Sequence, residues 1–158
     1  MSLVFRKSTM GDIELLLSIQ KAAFQEDFEK YEDFETNPAC EISEKLAENI
    51  QKYHHYTILD GEIVIGAIDV RGNDERMHID KVFISPIIQN KGAGSAAIQF
   101  LEAQFPNVKL WTLYTPHLSF RNHYFYEKFG YNKTKEVQLT PKLILFKYEK
   151  FSDVLVSK

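Results

Sequence analysis

Between residues 82 and 95 the chain reads Val82-Phe83-Ile84-Ser85-Pro86-Ile87-Ile88-Gln89-Asn90-Lys91-Gly92-Ala93-Gly94-Ser95. An apolar strand gives way to a proline-bounded loop, and a Gly-x-Gly pair then opens a helix. The first turn of a helix carries N–H groups without intrahelical partners and a partial positive charge. Glycines there let an anion approach the backbone closely, so the segment has the chemistry of an anion cradle, with a pyrophosphate as its natural ligand. The same residues also read as a glycine-containing turn that binds nothing. Just upstream, His78 and Asp80 fall on one face of the strand with Val82 and Ile84 by two-residue alternation. A histidine at such a place titrates near neutral pH and can accept a proton, directly or through water. Its plainer reading is a half-exposed strand residue.

Two familiar phosphate-binding patterns fit poorly. A P-loop requires Gly-x4-Gly-Lys-Ser/Thr, which is absent. The run Gly92-Ala93-Gly94-Ser95-Ala96-Ala97 matches a dinucleotide fingerprint in letters. In that fold, however, the glycines follow the strand in a tight turn, and here seven residues, Ser85–Lys91, intervene. The next strand, Val108–Tyr114, ends without an acid to hold a ribose.

Gln89-x-x-Gly92-x-Gly94, following Val82-Phe83-Ile84-Ser85-Pro86, resembles the Gln/Arg-x-x-Gly-x-Gly/Ala motif of the GNAT superfamily of N-acetyltransferases. Downstream, Asn122-His123-Tyr124-Phe125-Tyr126-Glu127-Lys128-Phe129-Gly130-Tyr131 is similar to that family's Asn…Phe-Tyr-Glu-Lys-x-Gly-Phe/Tyr signature. One helix and one strand lie between the motifs, as in the family.

The resemblance implies an acetyl-CoA-dependent N-acyltransferase. Its acetyl group would pass to a primary amine of a small molecule or peptide by direct attack in a ternary complex. It implies a splayed parallel strand pair that holds the cofactor. Pantetheine would bond to the main chain of Val82, Phe83 and Ile84, and pyrophosphate to the backbone N–H groups of Asn90, Lys91, Gly92, Ala93, Gly94 and Ser95, with Gln89 of the motif also cofactor-binding. Asn122 matches the family asparagine on the pantetheine arm. It stands four residues before Tyr126, whereas Ser119 holds the position seven before. Tyr126 matches the tyrosine beside the sulfur, as general acid. A phenol is a sensible donor to a thiolate of similar basicity. Tyr126 also reads as a core-edge tyrosine beside Phe125 and Phe129. His78 lies eleven residues before Gln89, where some members carry a catalytic Glu, and with Asp80 it is the candidate base. A non-catalytic acyl-CoA-binding regulatory module is the alternative. Members of the family often dimerise, which adds a homodimer to the implied partners.

Several other residues invite chemistry. Residues 26–37 hold six acids and one Lys, with Phe28, Tyr31 and Phe34 interleaved. The run would attract a cationic acceptor, or it is a solvated loop with an apolar lid. Adjacent His54 and His55 point to opposite faces of a strand and make a poor chelate, so no metal site is expected. Cys40 has no adjacent base and reads as a small buried or pre-helix residue. Trp111, in an apolar strand, is expected in the core.

The elements that must position these groups follow from periodicity. Leu3–Lys7 is a strand. Thr9-Met10-Gly11-Asp12 has capping-box spacing, and the apolar period predicts a helix over 11–25. Residues 26–37 read as a loop or short irregular helix, and Glu41–Tyr53 as a second helix with Ile42, Leu46 and Ile50 on one face. Tyr56–Leu59 and Glu62–Val70 form a hairpin about Asp60-Gly61. Strands at 77–84, 108–114, 137–139 and 143–148 and helices at 91–104 and 120–129 complete the order β-α-α-β-β-β-α-β-α-β-β. The expected fold is mixed α/β: a largely antiparallel sheet of about seven strands with helices on both faces. The crossover at 77–114 makes one parallel pair.

The chain has 158 residues, within the range of one domain, so one acetyltransferase domain over 1–158 is expected. Charges sum to −3, without the basic excess that nucleic-acid binding favours. A lone cysteine permits no internal disulfide. No run approaches a membrane span and no signal peptide is read. These features point to a cytoplasmic protein.

Overall fold

The computed structural model describes residues 2–88 and 92–152. Seven strands form one sheet in the order β1-β2-β3-β4-β5-β7-β6. They are β1 (Leu3–Lys7), β2 (His54–Asp60), β3 (Ile63–Gly72), β4 (Arg76–Ile84), β5 (Leu110–Pro116), β6 (Asn132–Thr140) and β7 (Leu143–Phe151). The helices are α1 (Ile13–Tyr31), α2 (Ser43–Lys52), α3 (Ala93–Gln104) and α4 (Phe120–Lys128). β4 and β5 are parallel, with Arg76 opposite Leu110 and Ile79 opposite Leu113. The β1–β2, β2–β3, β5–β7 and β6–β7 pairs are antiparallel. The mixed α/β class, the element order and the parallel pair are as the sequence predicts. By contacts the chain divides into two compact units. One comprises the residues up to Val70 with Lys81–Ala103; the other comprises Arg71–Asp80 with Gln104 onward.

In the first unit, α1 and α2 pack on the sheet face that carries Ala67 and Phe83. Leu16, Ile19 and Leu46 are buried against that face, each such side chain contributing roughly 1.5–3 kcal/mol by leaving water. Tyr56, next to Thr57 and so on the opposite face, meets Phe100 of α3, with ring centroids 5.0 Å apart. Phe5 stacks on the same ring at 4.5 Å. Helices therefore cover both faces here.

The first helix does not stop at residue 25. Phe24, Phe28 and Tyr31 repeat at helical spacing, and burial of Tyr31 (2% exposed) holds the extra turns in place. The helix ends where Glu32 turns left-handed (φ 52°) and its N–H bonds to Phe28 C=O. Asp33 is not a free carboxylate. It accepts bonds from the N–H groups of Glu35 and Thr36 at 3.3 and 3.1 Å and from the Thr36 hydroxyl. At the helix start, Asp12 accepts the Thr9 N–H at 2.8 Å, the half of the capping box that its side chain supplies. Arg6 grips the same carboxylate with two bonds of 2.8 and 2.9 Å. Hydrogen bonding from Arg6 lowers the Asp12 pKa to about 2.

The second helix is shorter than expected. A 3₁₀ turn, Pro38–Cys40, precedes it, and Ile42 caps it while 60% exposed, so Ile42 is not on its buried face. Leu46 and Asn49 are buried. Cys40 is exposed in the pre-helix turn. The first hairpin turns on Gly61 and Glu62: Asp60 pairs with Ile63, and Gly61 takes φ 61°.

In the second unit, Met77, Ile79, Leu110, Trp111 and Leu113 are buried, with Trp111 edge-on to Phe105 at 6.3 Å. The closing strands are much longer than the apolar runs 137–139 and 143–148. β6 is polar and largely exposed, but it pairs with β7 from Asn132 to Thr140. The backbone ladder, not burial, makes it a strand, and its charges suit a sheet edge. Among the described residues no helix is long and apolar enough to cross a membrane.

Candidate active site

Burial along β4 alternates: Met77, Ile79, Lys81 and Phe83 are buried, and His78, Val82 and Ile84 are half-buried. At the strand end, Phe83 C=O presses on β3. A Cβ on Gly66 would lie 2.0 Å from that oxygen, so only glycine permits the approach. The Ser85 N–H bonds to Ile65 C=O at 2.6 Å. The main chain of Val82, Phe83 and Ile84 is thereby fixed to its neighbour, and the Phe83 side chain points into the core, 5.9 Å from the ring of Phe24.

Gln89, Asn90 and Lys91 lie outside the described residues. Gly92 stands at the head of α3 with φ 101°, a conformation other residues rarely adopt. Among the described residues, its chain neighbours aside, no atom lies within 4 Å of where its Cβ would be. The Ala96 N–H closes a helical bond to Gly92 C=O at 2.9 Å, so the N–H groups of Ala93, Gly94 and Ser95 lie in the turn whose donors a helix leaves unpaired. The Ala93 side chain is buried, and Gly94 and Ser95 are half-buried. The start of α3 thus has the oriented donors and open space that an anionic group needs.

The second unit holds the other sequence-predicted residues. His78 Nδ1 is 2.8 Å from Thr112 Oγ1, and its ring sits 5.6 Å from that of Tyr114. Asp80 is exposed and forms an ion pair with Arg71 at 3.3 Å. Asn122 Nδ2 donates to Thr115 Oγ1 at 3.3 Å, which orients its carbonyl. Tyr126 packs edge-on against Tyr131 and Phe125 at 5.7 and 5.1 Å. The residue as a whole is half-buried, yet desolvation pushes its phenol up to about 12.

Three features escaped the sequence reading. An open surface pocket of about 580 Å³ lies along α4, lined by Phe120, Arg121, Asn122, Tyr124, Phe125 and Lys128. Tyr148, buried, donates to Glu127 at 2.9 Å. Burial first, and then that carboxylate, raises it to about 12. In the first unit, buried Lys81 lies 3.6 Å from Glu41 and 3.7 Å from Asp69. The last had a signal, since Lys81 interrupts the apolar stripe Met77, Ile79, Phe83. Buried His55 has Nδ1 2.7 Å from Ser8 Oγ. Among the described residues no three His, Cys, Asp or Glu are grouped to hold a metal.

The sequence model of the acetyltransferase (GNAT) family matches residues 13–131, which takes in both motifs and most of the chain. This chain belongs to the GNAT acetyltransferase family. Acetyl-CoA is the cofactor of that family. One curated relative, an uncharacterized Bacillus subtilis protein named YrkN, is 36% identical over 74 residues. That match spans 46% of this chain and 40% of the relative. The fold is shared with the PaiA N-acetyltransferase of Thermoplasma acidophilum in complex with coenzyme A: TM-score 0.76, 17% identity, 96% of this chain and 100% of that one. A spermidine N-acetyltransferase SpeG chimera from Vibrio cholerae and hSSAT gives a TM-score of 0.75 at 15% identity, with both chains fully covered. The ribosomal-protein-S18-alanine N-acetyltransferase of Escherichia coli gives 0.74 at 12% identity, over 94% of this chain and 93% of that one.

Proposed function

We propose that this GNAT chain is a cytoplasmic enzyme, one acetyltransferase domain, that moves an acetyl group from acetyl-CoA to a primary amine of a small molecule or peptide. Gly92 carries the reading. It stands where the family motif puts its first glycine, with a positive φ and open space at the head of α3. The N–H groups of Ala93, Gly94 and Ser95 would hold the pyrophosphate, with Gln89, Asn90 and Lys91 assigned from sequence. The main chain of Val82–Ile84 would hold the pantetheine, with Asn122 on the same arm. The pocket on α4 pairs aromatic faces with the cations Arg121 and Lys128, a chemistry suited to a phosphorylated nucleoside end.

When bound, acetyl-CoA supplies the acetyl group as an activated thioester. Tyr126 Oη keeps its proton to about pH 12, so it stays a donor throughout the range in which an amine, with a pKa of ~10.4, loses its proton. It would protonate the departing sulfur. A backbone N–H within 82–84 would donate to the oxyanion. His78 would accept the ammonium proton at Nε2, in the tautomer whose Nδ1–H donates to Thr112. Asp80, held by Arg71, would add negative charge near it. Exposed Glu26 and Glu29 on α1 favour a cationic acceptor.

Calorimetric titration with acetyl-CoA, with NADH as control, followed by a panel of primary amines, tests this reading. Micromolar binding of acetyl-CoA alone and an acetylated amine are expected. No binding, or preference for NADH, would overturn it. Binding with no product from any amine would replace it with a non-catalytic acyl-CoA-binding module.

A further inference from the structure

The stripe of β4 that contains Met77, Ile79 and Phe83 also contains Lys81, 8% exposed. Its ammonium lies 3.6 Å from Glu41, which joins the 3₁₀ turn to α2, and 3.7 Å from Asp69 of β3. Asp69 is 1% exposed, and one oxygen of Glu41 is buried without a hydrogen-bond partner among the described residues. Exchanging a buried ion cluster for neutral residues of similar volume is often neutral or stabilising. Stability therefore does not account for a cation here. Its place in the chain does, because the next three residues are Val82, Phe83 and Ile84. Behind them the main chain is braced by the Gly66 contact and the Ser85 N–H bond to Ile65. In front, the Lys81 clamp joins the same strand to the connection between α1 and α2.

We propose that Lys81 is a positioning residue: held between Glu41 and Asp69, it fixes the main-chain donor of Val82–Ile84 at the height that the thioester carbonyl requires. The inference rests on the acetyl-CoA reading above. In some proteins buried charge clusters are retained for the one arrangement they select rather than for stability. A displacement of about 1 Å at a reacting centre is enough to lower a rate roughly a hundredfold.

The test needs no acceptor. The triple variant Glu41→Gln/Asp69→Asn/Lys81→Met removes the three charges together. Bound acetyl-CoA, carbon-13 labelled at its carbonyl, is observed by NMR, and coenzyme A affinity is measured by calorimetry. In the wild type the carbonyl resonance is expected to be displaced from its free value by the main-chain donor. In the triple variant it should return toward the free value while coenzyme A affinity stays within about threefold. Lys81→Arg keeps a cation beside both partners but changes their spacing; it should give an intermediate displacement. A resonance unchanged from wild type in these variants, or one lost in step with coenzyme A affinity, would overturn the positioning role. A wild type that binds neither coenzyme A nor acetyl-CoA would instead remove the acetyl-CoA reading, and this inference with it.

Discussion

Tyr126 and Tyr148 both carry phenols raised to about 12, with burial the leading cause. A folded pKa above the unfolded value of about 10 gives stability that is complete below pH ~10 and lost as the pH climbs toward 12. Phenolate absorbance should show Tyr56, Tyr126 and Tyr148 ionising late among the eight tyrosines, since burial raises Tyr56 as well, and Tyr126→Phe should remove one of them. If all eight ionise together near 10, the phenols are not desolvated. The same substitution should slow turnover roughly ten- to a thousandfold if Tyr126 is the general acid; an unchanged kcat removes it from that role. Asp12 behaves in the opposite sense. Arg6 lowers it to about 2, so its contribution is complete above pH ~5 and is lost as the pH falls toward 2. Asp12→Asn should flatten the acid limb of stability, followed by urea unfolding from pH 6 to about 2. Tyr126 is singled out in the sequence because it comes inside a motif. Its raised pKa is not, because desolvation is a property of the neighbours that folding brings to it.

Among the elements, β4 and the head of α3 were the most legible. An apolar strand followed by Gly-x-Gly has few local alternatives, and Gly92 takes the positive φ its type suggests. Gly66 was not singled out, since the need for glycine there comes from a carbonyl on another strand. Gly66→Ala would place a Cβ 2.0 Å from Phe83 oxygen and should destabilise by at least about 1–3 kcal/mol in denaturant melts. A stability within error of wild type would show that β4 can shift freely. The reading failed where local polarity and tertiary context disagree. The acidic tail of α1 is helical because Tyr31 is buried, and polar β6 is a strand because β7 supplies its hydrogen bonds. In both, one long-range partner outweighs the local preference of several residues.

For the molecule as a whole, ligand binding and stability are linked. If acetyl-CoA binds the native state alone, a concentration a hundred times its Kd adds about 2.7 kcal/mol. The melting temperature should then rise by roughly 5–10 °C, whereas NADH should leave it unchanged; no shift with acetyl-CoA would contradict the proposed cofactor. The sequence by itself determined the alternation of strands and helices, the one parallel pair and the family. Apolar periodicity, glycine conformation and motif spacing are local, and a linear chain displays them. Only the tertiary structure decided that Lys81 is clamped by Glu41 and Asp69, that Asp33 serves a turn, that Asp80 pairs with Arg71, and that α4 borders a pocket. The Lys81 cluster brings groups distant in sequence within a few ångströms out of water, where distance and desolvation, and not residue type, set the energy; the other three are shorter-range contacts, and it is the backbone path taken on folding that sets their geometry.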